Sequence, residues 1–152
     1  MENFFEEPNL IKGGLAVDER GQVTFVNDFH FEGVKRFYML ENFSKSSVRG
    51  FHGHLKEAKY ALVVSGTALI VLGHMDNPQN PDKHGKVFRF ILSDRNPEIL
   101  HIPAGYANGV RALENKTKVI FFSTISIEEA RNDDFRYPFD YWGEEVWKIK
   151  NF

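Results

Sequence analysis

The chain has 152 residues, enough for one domain (residues 1–152) that encloses a real hydrophobic core. A net charge of −2 provides no global basic field to draw in nucleic acid, so any anionic ligand has to be met by a local cluster of cations. The absence of cysteine excludes disulfides, thiolate nucleophiles and cysteine-based zinc sites; no run is long enough to span a membrane, and MENFFEEPNL lacks the basic and apolar regions of a signal peptide, so a cytoplasmic protein is expected.

Short runs rich in β-branched and aromatic residues alternate with turn formers. In chain order, strands are expected at 14–17 (GLAV), 22–27 (QVTFVN), 34–40 (VKRFYML), 60–66 (YALVVSG), 67–73 (TALIVLG), 86–92 (KVFRFIL), 98–103 (EILHIP) and 117–125 (TKVIFFSTI). Residues 75–85 (MDNPQNPDKHG) have little to bury and form a loop. Ser126 before IEEAR has the form of an N-cap with acidic residues in the first turn, hence one short helix near the C-terminus. The aromatic tail at 136–147 (RYPFDYWGEEVW) is expected to pack on the body. Together these make an all-β barrel of about eight or more strands.

In VRGFHGHLKEAKYALVVSG (48–66), His52 and His54 are two residues apart, so on a strand they share one face. Three readings follow: a metal site, a metal-free acid/base site, or a packed pair of histidines without chemistry. This stretch is similar to the metal-binding motif of cupin jelly rolls, with two changes in the ligand set. Lys59 stands where the motif carries its carboxylate, and in IPAGYANG (102–109) Asn108 stands where the second motif carries its last histidine. An ammonium has no lone pair to give and repels a divalent cation, so no metal and no cofactor are expected.

RGFHGH, IPAGYANG and FDYWGEEVW together resemble the metal-free cupins that act on nucleotide-linked 4-keto-6-deoxy sugars. Two branches are in view: dTDP-4-dehydrorhamnose 3,5-epimerases and dTDP-4-keto-6-deoxyglucose 3,4-ketoisomerases. The resemblance implies a cupin jelly roll that acts as an isomerase on a nucleotide sugar, in deoxysugar biosynthesis for lipopolysaccharide or O-antigen, as a homodimer. Residue by residue, it implies His52 as the base, Asp140 as the carboxylate that orients it, Lys59 near the 4-keto oxygen, and Arg49 as the arginine of the RG-x-H motif. It also implies Arg20, in DERG, on the nucleotide's phosphates, reaching across from a partner subunit. On the ketoisomerase side, His52 and His54 match both histidines of the H-x-H pair and Tyr38 matches a tyrosine. Two positions depart from the epimerase pattern: Asn108 replaces a histidine, and Phe121 replaces the catalytic tyrosine.

The chemistry explains these residue types. A 4-ketone makes the hydrogens at C3 and C5 acidic, a neutral imidazole suits their removal, and a fixed cation stabilises the enolate oxygen. Phe121 has no proton to give, so the acid that returns one is sought among Tyr38, Tyr106, Tyr141, His54 and water. Epimerisation at C3, C5 or both, a 3,4-ketoisomerase and a non-catalytic sugar-nucleotide binder all remain open at this point.

Overall fold

Alternating burial along the strands resolves the chain into two facing antiparallel sheets. The computed structural model describes residues 6–151. Its elements are β1 (Asn9–Lys12), β2 (Gly14–Asp18), β3 (Gly21–Phe25), β4 (Arg36–Asn42), β5 (Val48–His54), β6 (Lys59–Ser65), β7 (Thr67–His74), β8 (Val87–Ser93), β9 (Glu98–Ile102), β10 (Tyr106–Ala112), β11 (Thr117–Ser123), α1 (Ile127–Arg131), β12 (Phe135–Arg136) and a 3-10 turn, Glu144–Trp147. One sheet runs β1-β9-β6-β11-β4 and the other β12-β5-β10-β7-β8, giving the expected all-β jelly-roll barrel. Between them lies a core that includes Val63, Ile70, Leu72, Leu100, Val110 and Phe121.

The helix forms where expected. Ser126 Oγ accepts from the Glu129 amide while the Glu129 carboxylate accepts from the Ser126 amide, which closes a capping box. The tail also packs as expected. Tyr137, Trp142 and Trp147 form a second apolar cluster with the fully buried Phe51 on the outer face of the β5-β10-β7 sheet. Trp142 Nε1 donates to the Asp82 carbonyl and the Tyr141 hydroxyl to that of Pro81, so the tail also pins the 75–85 loop.

β1, β5, β10 and β12 lie outside the runs in which pattern alone predicts strands. The reason is clearest in β10, whose YANGVRA is rich in small residues with low strand propensity. Packing overrides that preference. A Cβ on Gly109 would stand 2.6 Å from the Trp147 ring, and one on Gly73 of β7 would stand 2.6 Å from Trp142. The glycines are notches that seat the tail's indoles, a role invisible to local pattern.

β2 and β3 pair only with each other. This hairpin carries the exposed apolar residues Leu15, Val17, Val23 and Phe25. Arg20 sits at its tip, 90% exposed and bridged to Asp18 at 2.6 Å.

Candidate active site

Inward-facing residues of β4, β5, β6, β10 and β11 enclose a cavity of about 590 Å³. Tyr38, Arg49, His52, Lys59, Asn108 and Phe121 all line it. Register explains how residues so far apart in sequence meet: Asn108 pairs with His52, Phe121 with Tyr38, and Ser123 with Lys59. Directly opposed residues on neighbouring strands share a face of the sheet.

Lys59 begins β6, where it alternates inward with Ala61 and Val63. It is 5% exposed, and its Nζ lies 5.7 Å from the Tyr38 ring centroid and 5.9 Å from that of Phe121. The two rings stack with their centroids 5.2 Å apart and their planes 15° from parallel. Among the described residues no carboxylate comes within ion-pair distance of Lys59. Ring faces offset part of the cost of burying an ammonium but leave its charge unneutralised. A cavity walled this way is suited to receive negative charge.

His52 opens onto the cavity and keeps solvent access. Burial holds its pKa below the usual histidine value of 6.5; the charges of Arg136, Lys59 and His54 add to this, and Asp134 opposes it. The imidazole is therefore neutral, and able to accept a proton, at neutral pH. Arg49 is oriented by Asn42, whose Oδ1 accepts from its Nε at 2.8 Å.

Four expected residues lie elsewhere. Asp140 is exposed, and no hydrogen bond or ion pair joins it to His52. The backbone of Tyr137 still pairs with Phe51, but Pro138 ends the strand and the chain turns over the outer face, taking Asp140 with it. The carboxylate whose charge reaches His52 is that of Asp134 instead. Tyr106 is buried against His74 and Phe88 and lines a second cavity with them, so it does not serve this one. His54 is not part of the cavity wall: its Nδ1 donates to the Asp133 carbonyl and its Nε2 faces Glu57. Nδ1 is taken by the carbonyl and Nε2 lies against the buried carboxylate, so neither nitrogen lines the cavity. Arg20 stays at the hairpin tip and does not line the cavity of its own chain.

Sequence reasoning passed over Arg36, Glu57, Asp134 and Arg136. Arg36 was legible, since it alternates with Tyr38 on β4; its guanidinium lies 5.3 Å from that ring. Arg136 pairs with His52 across β12 and β5, but a two-residue edge strand leaves no periodic signal. Glu57 sits in the mixed run LKEAK, which resembles a solvated turn.

Comparison with known proteins gives the family. The family model described as dTDP-4-dehydrorhamnose 3,5-epimerase matches residues 6–138. The spore coat polysaccharide biosynthesis protein SpsL of Bacillus subtilis (strain 168) is 30% identical over 111 residues, covering 67% of this chain and 72% of that protein. The dTDP-4-dehydrorhamnose 3,5-epimerase from Sulfolobus tokodaii superposes with a TM-score of 0.73 at 27% identity, over 92% of this chain and 82% of that one. The 3,4-ketoisomerase QdtA from Thermoanaerobacterium thermosaccharolyticum gives a TM-score of 0.68 at 21% identity, over 94% of this chain and 96% of that one. With the match running from before β1 to the start of the tail, the chain belongs to the dTDP-4-dehydrorhamnose 3,5-epimerase family, a family of isomerases.

Proposed function

We propose that the protein is an epimerase of a nucleotide-linked 4-keto-6-deoxy sugar, working through an enolate. The observation that carries this reading is Lys59: a buried ammonium without a carboxylate partner, in the same cavity as a neutral imidazole. His52 takes the hydrogen from the carbon beside the ketone. The electron pair moves onto the ketone oxygen, where the Lys59 ammonium offsets the developing charge. Tyr38 is the one phenol lining the cavity, among the described residues, and gives the proton back. It stands directly across the strand pair from Phe121, so the phenol reaches the cavity from β4 instead of β11. A proton passed from His52 through solvent to the phenolate resets the site.

Metal independence belongs to this reading and rests on the donor set. Lys59 and Asn108 occupy ligand positions of the cupin pattern, and among the described residues no group of three imidazoles or carboxylates converges. Arg49 suits the substrate's diphosphate. Arg20 suits it in a homodimer, where the exposed apolar hairpin of one subunit covers the cavity of the other. The similarity to SpsL supports a surface-polysaccharide sugar as the destination.

One observation favours a second reading, a 3,4-ketoisomerase. The match to QdtA spans nearly all of both chains, and a single base that moves the C3 proton needs no opposing acid. Incubation with nucleotide 4-keto-6-deoxyhexoses in D2O, followed by NMR, separates the two. An epimerase leaves the ketone at C4 with deuterium at C3 or C5, whereas an isomerase yields a 3-ketone. Binding without deuterium uptake, unchanged in His52→Ala, makes the protein a sugar-nucleotide binder and overturns both.

A further inference from the structure

The turn behind the cavity, where β5 leads into β6, carries a carboxylate that the proposed chemistry does not use. Asp133 holds this turn by accepting from the Leu55 and Lys56 amides at 2.8 Å each. The turn drives Glu57 inward until its side chain is wholly buried. There Oε1 accepts from Ser123 Oγ at 2.6 Å and lies 3.4 Å from Arg36 Nη2. Oε2 lies 3.2 Å from His54 Nε2, off the line of a directional hydrogen bond. Moving a carboxylate out of water is costly, and apolar residues of similar volume commonly stabilise a fold as well as a buried ion pair does. Stability alone is a poor reason for Glu57 to be there.

Each partner of Glu57 leads back to the cavity. Arg36 lies against the Tyr38 ring, Ser123 is directly opposite Lys59, and His54 is two residues from His52 on the same strand. We infer that Glu57 is a positioning residue: it fixes Arg36 against the Tyr38 ring and holds His54 Nε2, so that the phenol and the base keep one geometry through the reaction. The kinetic consequence rests on the enolisation reading; the structural one does not. A carbonyl can only accept, so His54 Nδ1 carries a hydrogen, and the Glu57 carboxylate stands beside Nε2.

Glu57→Gln keeps the shape and removes the charge. Glu57→Asp keeps the charge on a shorter stem. Nitrogen NMR of the histidine rings is expected to show the hydrogen of His54 on Nδ1 in the parent protein and a shifted Nε2 signal in Glu57→Gln, where the carboxylate beside that nitrogen is gone. Deuterium uptake by the sugar is expected to fall about tenfold, with the Kd for a nucleoside diphosphate held within about twofold and partial recovery in Glu57→Asp. That split between turnover and binding is not what a role in folding alone produces. Unchanged His54 ring signals, or turnover within about twofold of the parent, overturns the inference. Should Glu57→Gln fail to fold, Ser123→Ala removes one partner and leaves the charge in place. It is then expected to lower turnover with binding intact, and equal losses in both overturn the inference. If the parent takes up no deuterium from any nucleotide 4-keto sugar, the enolisation reading fails, while the ring-nitrogen comparison still decides the role of Glu57.

Discussion

His52 and His54 share a strand face two residues apart, yet their surroundings are opposite. His52 meets a cavity that Arg49, Lys59 and the Tyr38 and Phe121 rings help to line, with a free nitrogen and a depressed pKa. His54 is closed in by a carbonyl on one nitrogen and a buried carboxylate beside the other. One histidine is arranged to exchange a proton with a ligand, the other to hold the structure around it. Strand periodicity sets which way a side chain faces, and the loops and edge strands that close over it set what it can do.

The largest expected effect separates the two histidines directly. His52→Ala should reduce deuterium uptake by about 10³-fold with little change in melting temperature. His54→Ala should instead destabilise the fold by about 3 kcal/mol in denaturant titrations, because it leaves Glu57 buried with one partner fewer. If His54→Ala is the catalytically dead, fully stable variant, the comparison is reversed. Next, Lys59→Met should cost about 10²- to 10³-fold in turnover while melting no lower than the parent, since it removes a buried charge that lacks a carboxylate partner. A large loss of stability would mean that Lys59 serves the fold and not the enolate.

Smaller effects sharpen the picture of the acid. Tyr38→Phe should slow turnover by about 10²-fold, and adding Phe121→Tyr on the paired strand should restore part of it by supplying the phenol from β11. The smallest effect is on pH dependence. A base works when neutral, so kcat/KM should be full at neutral pH and fall as pH drops through the His52 pKa, which lies below 6.5. Arg136→Gln removes a cation that lowers this pKa, so the acid limb should move to higher pH. An unmoved limb would show that another group sets it.

Much of the fold was legible because apolar alternation and turn residues mark most strands, and Ser126 with Glu129 marks the helix. β10 was not, because its one glycine, Gly109, answers to Trp147 more than thirty residues later. The cavity set followed from the resemblance, and register then showed why those positions meet. Asp140 misled because its spacing to Trp147 held while Pro138 turned the chain away. Tyr106 misled for a different reason: it faces inward as alternation predicts, but leans towards β7 and β8, a displacement across the barrel that period-two pattern does not encode. Glu57 was hidden because Asp133, far along the chain, folds its turn inward.

The indoles of Trp142 and Trp147 sit where two inner strands have no side chain of their own, which makes the last turn of the protein a keystone set from outside. Ending the chain after Tyr137 would open a furrow along the backs of β7 and β10, the strands whose opposite faces carry Leu72 and Asn108. Reactivity at the inner surface would then loosen through damage that never touches a reacting group.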